Sequence, residues 1–282
     1  MKKILFWGTP QLTWTLLDAL KEAGLTPTII GSVPDKPQGR KLVLTPPEIK
    51  EWATKNNIQF IQPEKLDDLT YQELSKTPWD LFVVVAYGKI IPERFISLPT
   101  HGTINVHYSL LPRWRGATPV ESAILHGDEK TGVCVQQMRY KLDTGPILNE
   151  LTVDIPKDCT APKLRELLNN LAGPLLVKTI TEIFDNKTRP KEQDEASATY
   201  CTKIEKEDGL IDLNDSGENI WRKFRAFYGW PGIYYFEKHQ NKNLRVKITD
   251  ATWENNTFKI VSVVPEGKKE MLYEDFLRGL RD

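Results

Sequence analysis

The sequence predicts an α/β protein in which a doubly wound domain with a mostly parallel sheet precedes a small β domain. Over the first half of the chain, short apolar runs alternate with amphipathic helical segments, a pattern typical of parallel sheets. The length of 282 residues suits one medium domain plus a smaller one. After a polar stretch at residues 187–200, short alternating segments replace the strand and helix repeat, which indicates the β domain.

The chain opens with a predicted strand, tight turn and helix. Residues 4–7 form an apolar run that Gly8 closes, and Thr9-Pro10 predicts a helix N-cap followed by proline at the first helical position. Leucines then recur at helical spacing up to Gly24, and residues 28–33 predict a second buried strand. A strand, a helix and a further strand in this order favour a parallel sheet.

The same alternation continues to residue 88. We expect a helix over residues 47–56, a strand over 58–62, a shorter helix near Tyr71 and a strand over 81–87. The last segment is the most continuously apolar, which is typical of a central strand buried on both faces. Gly88 ends it.

This pattern also locates the expected ligand site, because open α/β sheets bind ligands beyond the carboxyl ends of their strands. Those ends are Gly8, Val33, Gly88 and the turn over residues 107–112. The first turn lacks the G-x-G-x-x-G pattern, and no G-x-x-x-x-G-K-[ST] occurs. Dinucleotide and P-loop nucleotide chemistry are therefore unsupported.

The second half departs from strict alternation. Residues 133–138 and 147–155 predict strands joined by a turn at Asp143, and a leucine-rich helix follows to about residue 184, kinked at Gly173-Pro174. The polar stretch without periodicity after this helix predicts an extended linker. We expect a first domain at residues 1–186, a linker at 187–200 and a second domain at 201–282, whose predicted elements are a helix at 218–227 and strands at 233–237, 244–249 and 257–264.

Composition excludes several classes. The 38 basic and 38 acidic side chains balance, so no global field favours nucleic acid or an anionic membrane. Cys134, Cys159 and Cys201 are far apart and form no CxxC pair, which favours reduced core thiols in a cytoplasmic protein over a zinc site or disulfide framework. The same separation of the cysteines leads us to expect no metal. No apolar run reaches transmembrane length and no signal peptide is recognisable, so we expect no membrane partner.

The most informative stretch is residues 103–148. Asn105 and His107 flank Val106, so on a strand their side chains share one face. Asp143 follows on a turn, where a carboxylate is suited to hold an imidazole in one tautomer. An isolated Asn-x-His pair is more often structural, and an Asp on a turn often caps its own backbone. Their place beyond a central strand favours a proton-transfer site.

Two basic segments are candidate binding surfaces. The loop at residues 33–41 carries Lys36, Arg40 and Lys41 against one acid, and projects near the expected site, although a solvated loop without a role is an equal alternative. Residues 222–249 carry seven cations and one acid among interleaved aromatic residues, a pattern that favours nucleic acid. The same aromatic residues are as compatible with the core of the small domain.

A set of motifs in order along nearly the whole chain resembles the methionyl-tRNA formyltransferases. These motifs are FWGTP at 6–10, PDKPQGR at 34–40, VVAYG at 84–88, INVHYSLLPRWRG at 104–116, TG at 131–132, LDTG at 142–145, RAF at 225–227, WPG at 230–232, EGKK at 266–269 and FLRG at 276–279. Asn-x-His with Ser-Leu-Leu-Pro and Leu-Asp-x-Gly marks the wider folate-dependent formyltransferase superfamily. The PDxPxGR loop and the C-terminal motifs point to the tRNA enzymes rather than the glycinamide ribonucleotide or sugar-nucleotide enzymes.

The resemblance implies a Rossmann-like formyltransferase domain, a linker and an OB-like domain that helps to hold initiator tRNA. It implies formyl transfer from 10-formyltetrahydrofolate to methionyl initiator tRNA in translation initiation, by a monomer without a metal. The implied catalytic residues are Asn105, His107 and Asp143. The implied folate-binding residues are Gly88, Ser109, Leu110, Leu111 and Pro112, and the implied tRNA-binding residues are Lys36, Arg40, Lys41, Arg222, Arg225 and Lys247.

Three departures from the family pattern stand out. Tyr108 replaces a usual glycine, and Pro146 stands where an acid often follows Asp-Thr-Gly, so the local folate pocket is expected to be reshaped. Residues 253–264 leave room for little more than one strand where the family usually has a longer insertion, which predicts a shortened OB-like domain.

Two other functions remain open at this point. One is the same chemistry on a small amine, such as a nucleotide-linked amino sugar, which the shortened domain favours and the loop of Arg40 opposes. The other is a non-catalytic tRNA-binding or folate-binding protein, which the intact trio of Asn105, His107 and Asp143 opposes.

Overall fold

The structure is a computed structural model that describes residues 2–38, 43–239 and 242–280. The chain divides into two compact units. The first comprises the residues up to Arg115 together with Gly132–Val153 and Glu166–Tyr200, and the second comprises Gly116–Thr131, Asp154–Arg165 and the residues from Cys201 onward.

The elements follow the order expected from the sequence, except that an antiparallel pair of short strands, Lys36–Gln38 and Val43–Thr45, begins within the loop predicted at residues 33–41. The strands are β1 Ile4–Gly8, β2 Ile29–Gly31, β3 Lys36–Gln38, β4 Val43–Thr45, β5 Gln59–Ile61, β6 Leu81–Val85, β7 Thr103–His107, β8 Arg115–Gly116, β9 Lys130–Gln137, β10 Ile147–Asp154, β11 Tyr200–Cys201, β12 Ile233–His239, β13 Lys242–Glu254, β14 Thr257–Pro265 and β15 Met271–Leu272. The helices are α1 Thr13–Glu22, α2 Ile49–Lys55, α3 Asp68–Ser75, α4 Glu93–Ile96, α5 Pro119–Leu125, α6 Ala161–Phe184, α7 Gly217–Ala226 and α8 Tyr273–Gly279.

A seven-stranded sheet organises the first unit, in the order β10-β9-β7-β6-β1-β2-β5. Strands β7, β6, β1, β2 and β5 run parallel, whereas β9 is antiparallel to β7. Every residue of β1 and β6 is buried, as is typical of strands covered on both faces. β6 is the middle strand of the sheet, so the central position predicted for residues 81–87 is confirmed.

The sheet packs on one side against a core rich in aromatic and branched residues. Its buried members are Leu5, Trp7, Ile29, Val33, Leu74, Trp79, Phe82, Val84, Tyr87, Ile91, Phe95 and Ile96. This burial, at about 25 cal/mol for each Å² of apolar surface, is what holds the carboxyl ends of the parallel strands at fixed positions. The predicted α/β class with a mostly parallel sheet is confirmed.

The start of α1 differs from the prediction. The helix begins at Thr13, with Leu12 as its N-cap, rather than at Thr9-Pro10. The Thr9 hydroxyl instead donates to the carbonyl of Tyr87 at 3.0 Å. Because the Thr9 side chain is bonded to a residue distant in the chain, it does not cap the helix. This hydrogen bond joins the turn after β1 to the turn after β6.

The second unit contains a four-stranded antiparallel sheet in the order β12-β13-β14-β15. Asn255 and Asn256, with φ of 49° and 58°, connect β13 to β14. Two successive residues in the left-handed region form the tight hairpin turn that a short connection needs. The predicted small β domain is therefore confirmed, and β12 and β15 are the outer strands of this sheet among the described residues.

Helix α7 packs its aromatic face within the second unit. The Trp221 ring stacks on Phe224 at 5.5 Å and on Trp253 at 6.5 Å between centroids. Most aromatic residues of the basic segment are buried, whereas Tyr228, Trp230 and Phe236 are exposed. The buried members therefore belong to the core of the second unit, and the nucleic-acid interpretation stays a prediction for the exposed members alone. Within the described ranges, no helix is long and apolar enough to cross a membrane.

Candidate active site

Strand β7 brings Asn105 and His107 to the carboxyl end of the parallel sheet. Asn105 lies opposite Val84 of β6 and opposite Gln136 of β9, and His107 lies opposite Cys134. Directly opposed residues of antiparallel strands share a face, so Gln136 joins Asn105 and His107 on one face. Asn105 is half-buried and His107 is only 5% exposed.

The imidazole of His107 lies between two hydrogen-bond acceptors. Its Nε2 is 2.8 Å from the carbonyl oxygen of Trp114. Because a carbonyl only accepts, Nε2 carries the hydrogen, and the neutral ring has its lone pair on Nδ1. Nδ1 is 3.7 Å from Oδ2 of Asp143, too far for a direct hydrogen bond but close for a charge interaction. A protonated His107 is therefore favourably placed between a carbonyl and a carboxylate.

The carboxylate of Asp143 is almost fully enclosed, with its side chain 8% exposed. Its Oδ1 accepts a hydrogen bond from Nε2 of Gln136 at 2.8 Å, which leaves Oδ2 facing His107. Asn105, His107 and Asp143, predicted separately from the sequence, are thus brought together at the edge of one sheet.

The backbone of the Asp143 turn is held by Gln193. The Nε2 of Gln193 donates to the carbonyl of Asp143 at 2.9 Å and to the carbonyl of Gly145 at 2.7 Å. A Cβ atom added at Gly145 would lie 1.6 Å from the carbonyl oxygen of Gln137, so only glycine fits there. The Leu-Asp-Thr-Gly motif therefore includes a glycine because two backbone segments touch at that position.

A fully buried cation, Arg115, holds Gln193 in turn. Its Nε and Nη2 donate to Oε1 of Gln193 at 3.0 and 2.8 Å, and its Nη1 and Nη2 form a forked pair with the Glu195 carboxylate. Nη1 also donates to the hydroxyl of Tyr200 at 3.2 Å. The hydrogen bond with Glu195 raises the pKa of the Arg115 guanidinium and lowers the pKa of the Glu195 carboxyl.

The residues of the predicted folate site divide into two groups. Ser109 is fully buried and its hydroxyl donates to the carbonyl of Arg113 at 2.6 Å, and Leu111 is 5% exposed before a cis peptide bond to Pro112. Leu110 and Pro112 are half-buried. Gly88 has φ of +77° and faces open space. Ser109 and Leu111 therefore shape the turn, whereas Gly88, Leu110 and Pro112 retain surface that a ligand can contact.

Tyr108, a departure from the family pattern, lies with 9% exposure in the first unit. Its hydroxyl donates to Oδ1 of Asn169 on α6 at 2.9 Å. The carbonyl of Pro146, the second departure, accepts from the backbone N–H of Gln137 at 2.9 Å. Both residues are therefore integrated into the hydrogen bonding of the first unit.

The predicted tRNA-binding residues differ in accessibility. Lys36 is exposed, whereas Arg40 and Lys41 lie outside the described residues. In the second unit Lys247 is half-buried, and Arg222 pairs with Glu218.

The third cation predicted for tRNA in the second unit, Arg225, is 8% exposed. Its Nη1 donates to the carbonyl of Cys159 at 3.4 Å, and burial lowers the pKa of its guanidinium. Arg225 is thus withdrawn from the surface. Arg245, by contrast, is exposed and stacks over the Tyr234 ring at 3.8 Å.

Three residues of this site were not singled out by the sequence: Gln136, Gln193 and Thr199. The Thr199 hydroxyl accepts from the N–H of Trp114 at 2.9 Å. None belongs to a short motif with a known mechanism, and the two later ones lie in a polar stretch whose pattern predicts only a linker. The sequence offers one signal, the strand predicted at residues 133–138, and of these three residues only Gln136 lies on it. In the described part of the chain, no three His, Cys, Asp or Glu side chains are grouped as metal ligands.

Comparison with protein families identifies the class. Residues 2–180 match the family model described as Formyl transferase, and residues 203–260 match the model described as Formyl transferase, C-terminal domain. The chain belongs to the formyl transferase family.

Among individual proteins, the chain is 36% identical to the Methionyl-tRNA formyltransferase of Halalkalibacterium halodurans, over 98% of this chain and 94% of that relative. The resemblance to methionyl-tRNA formyltransferases predicted from the motifs is confirmed.

Solved structures share the fold. The Methionyl-tRNA formyltransferase from Clostridium thermocellum superposes with a TM-score of 0.59 at 18% identity, covering 94% of this chain and 99% of that one. The N-formyltransferase from Helicobacter canadensis, solved in complex with folinic acid and dTDP-3-aminofucose, superposes with a TM-score of 0.66 at 19% identity, covering 90% and 89%. At these identities the likeness extends to the fold alone.

Proposed function

We propose that this chain transfers the formyl group of 10-formyltetrahydrofolate to the α-amino group of methionyl initiator tRNA and so supports translation initiation. The observation that carries the proposal is the convergence of Asn105, His107 and Asp143 at the carboxyl ends of the parallel strands. This is where an open α/β sheet binds its ligands. The full-length similarity to a methionyl-tRNA formyltransferase supports the choice of amine.

The reaction needs little activation of its nucleophile. An α-amine has an unperturbed pKa of about 7.7 to 8.0, so a useful fraction is neutral near neutral pH. The amine nitrogen forms a bond to the formyl carbon, the bond from that carbon to N10 of the folate breaks, and one proton passes from the amine to N10. The enzyme must therefore stabilise the tetrahedral oxyanion and move that proton.

Asn105 suits the oxyanion. It is the partly exposed polar residue of β7, and its side-chain amide is a neutral donor on the same face as His107. Removing one donor of this kind from an oxyanion site typically costs about 100-fold or more in rate.

His107 suits proton transfer and charge stabilisation. When protonated, it donates through Nε2 to the Trp114 carbonyl and faces the Asp143 carboxylate with Nδ1. Asp143 presents Oδ2 to this ring, while Gln136 donates to its other oxygen. The pair thus supplies a proton and a positive charge without burying an unpaired ion.

The remaining assignments complete the proposal. We assign Gly88, Leu110 and Pro112 to folate contact and Ser109 and Leu111 to the shape of that turn. Lys36, Arg40 and Lys41 would meet the acceptor end of the tRNA, with Arg222 and Lys247 contributing from the second domain and Arg225 supporting α7. The chain would act in the cytoplasm as a monomer with domains at 1–186 and 201–282.

The test is formation of formylmethionyl-tRNA from 10-formyltetrahydrofolate and charged initiator tRNA. We expect wild-type turnover and a loss of about 100-fold or more in kcat for His107→Ala and Asp143→Asn, because each removes the charge that stabilises the other. Asp154→Asn is the matched control, since this carboxylate on β10 is exposed. Circular dichroism should show all three variants folded.

The alternatives are outcomes of the same assay. Formylation of a nucleotide-linked amino sugar without formylation of the tRNA would move the protein to the small-amine class. Folate binding without turnover on either amine would make it a binding protein. Near-normal kcat in either His107→Ala or Asp143→Asn would reject the catalytic assignment.

A further inference from the structure

The segment at residues 191–200, called here the strap, crosses the first unit beside the candidate active site. It contains a 3-10 turn at Glu195–Ser197, and Lys191 exchanges two backbone hydrogen bonds with Ile147. The proposed function assigns the strap no part beyond connecting two domains. Its hydrogen bonds, however, end on the two turns that flank His107.

On one side the strap holds the turn of Asp143. Gln193 donates to the carbonyls of Asp143 and Gly145, and its oxygen accepts from Arg115. These partners fix the orientation of the amide, because carbonyls require the NH₂ end and a guanidinium requires the oxygen. A fully satisfied, partly buried network of this kind rigidifies its members.

On the other side the strap holds the turn of Trp114. The Thr199 hydroxyl accepts from the N–H of Trp114 at 2.9 Å, the Thr199 N–H donates to the carbonyl of Pro112 at 3.2 Å, and the Thr199 carbonyl accepts from the N–H of Arg115 at 2.9 Å. The Trp114 carbonyl is the group that fixes Nε2 of His107. Thr199 therefore reaches His107 through one intervening residue.

Surface ion pairs also join these segments but do not reach the site. Arg139 pairs with Glu192 at 2.6 Å, and both side chains are more than half exposed. Exposed pairs of this kind contribute little to stability and hold their segments only loosely. The partly buried hydrogen bonds of Gln193 and Thr199 are therefore the contacts that define the geometry. The Arg139 pair offers a control on the same two segments.

We propose that the strap sets the geometry of the proposed catalytic pair, with Gln193 positioning Asp143 and Thr199 positioning His107. This inference rests on the proposed function for its kinetic consequence, but the tautomer of His107 reports on it independently. Neither residue touches the reacting atoms. Both act through a backbone turn, so their loss should affect the alignment of the site more than the binding of substrates.

Three substitutions separate positioning from general stability. Gln193→Glu keeps the oxygen that pairs with Arg115 but cannot donate to the two carbonyls. Thr199→Val keeps the shape but removes the acceptor for the Trp114 N–H, and Thr199→Ser restores it. Glu192→Gln is the control, because it breaks only the exposed pair with Arg139.

The measurements are kcat, KM for both substrates, thermal unfolding, and ¹⁵N chemical shifts of the histidine rings. The chain has four histidines, so comparison with His107→Ala assigns the signal. We expect kcat to fall about 10- to 100-fold in Gln193→Glu and Thr199→Val with KM changed by less than about threefold, since misplacement of a reacting group by about 1 Å costs about 100-fold. Thr199→Ser and Glu192→Gln should retain wild-type kcat.

The ring signals give the second readout. Neutral His107 should be the Nε2–H tautomer in the wild type and a mixture of tautomers in Thr199→Val. If Gln193→Glu does not fold, Thr199→Val and Thr199→Ser decide the matter. Wild-type kcat in folded Thr199→Val, or a lowered melting temperature with unchanged kcat and tautomer, would overturn the proposal. Absence of formyl transfer in the wild type would instead reject the proposed function, while the tautomer still tests the strap.

Discussion

Asp143 has a backbone conformation that residues with a side chain rarely adopt, with φ of 51°. Ala86 and Trp114, with φ of 48° and 61°, share this left-handed region. The conformation costs roughly 1 to 2 kcal/mol for each such residue, so the surrounding structure must hold it. At Asp143 the holding contacts are the bonds from Gln193 and the close approach at Gly145.

The close approach leads to a prediction for Gly145→Ala. A methyl group there would meet the carbonyl of Gln137, which is rigid backbone of β9, so the turn must move and carry the Asp143 carboxylate with it. We expect kcat to fall about 100-fold and stability to fall by about 1 to 3 kcal/mol. Steady-state kinetics and urea unfolding measure the two effects.

Gly24→Ala is the matched control for this substitution. Gly24 has a positive φ, of 72°, and an added Cβ meets nothing within 4 Å. We expect a stability loss of about 1 kcal/mol from backbone strain and no change in kcat. Equal kcat losses in Gly24→Ala and Gly145→Ala would show that a general loss of stability, rather than displacement of Asp143, lowers the activity.

At the residue scale, the sequence indicates the reacting groups better than their supports. Asn105 and His107 follow from the alternation of a strand, and Asp143 follows from its turn. Gln193 is fifty residues from Asp143 in the chain, and Thr199 is 85 from Trp114. Contacts of such separation leave no local pattern, so polar residues in an aperiodic stretch predict only a linker.

At the element scale, predictability follows burial. Strand β6 was foreseen because burial on both faces demands a continuous apolar run. The start of α1 was not predicted correctly, because the Thr9 hydroxyl donates to the carbonyl of Tyr87, which is far away in the sequence. The polar residues of a segment compete for partners that only the folded chain provides.

Helix α7 and the sheet beside it lead to a prediction about nucleic-acid binding. Arg225 is buried within the second unit and its Nε has no hydrogen-bond partner in the described structure, whereas Lys247 keeps accessible surface. We expect Lys247→Ala to weaken tRNA binding and to reduce the slope of log Kd against log salt concentration by about one, as loss of one phosphate contact does. Fluorescence titration at several salt concentrations measures the slope.

Arg225→Met serves as the comparison on the same unit. Methionine fills similar space without a buried charge, so we expect unchanged salt dependence together with unchanged or slightly raised stability. A reduced slope in Arg225→Met would show instead that this guanidinium reaches the phosphate backbone, and an unchanged slope in Lys247→Ala would remove that residue from the tRNA surface.

At the scale of the whole molecule, buried acids make stability fall at alkaline pH, and two of them, Tyr87 and Cys134, lie in the first unit. Burial raises the pKa of the Tyr87 hydroxyl to about 12, from an ordinary value of 10.0, and the pKa of the Cys134 thiol to about 12, from 9.0. Tyr87 is 2% exposed, and its hydroxyl has no hydrogen-bond partner in the described ranges; Cys134 is fully buried. The folded chain therefore keeps both protons at pH values where the unfolded chain releases them.

The sign of the pH dependence follows from this difference. Because the unfolded state binds fewer protons above about pH 9, the free energy of unfolding is at its full value below that pH and falls as the pH rises toward about 12. Each group contributes up to about 1.4 kcal/mol per pH unit within its window. Urea unfolding at a series of pH values, with tyrosinate absorbance recorded in parallel, measures the fall.

Tyr87→Phe should make this fall shallower, because one of the titrating groups is gone. At neutral pH its stability should equal or exceed that of the wild type, since the removed hydroxyl leaves no partner behind. Tyr140→Phe is the control: this side chain is 66% exposed, and its removal should leave the alkaline fall unchanged. A fall as steep in Tyr87→Phe as in the wild type would show that the Tyr87 proton is lost equally in the folded and unfolded chain. The alkaline limit would then rest on the other buried acids, Cys134 among them, and Cys134→Ala should make the curve shallower.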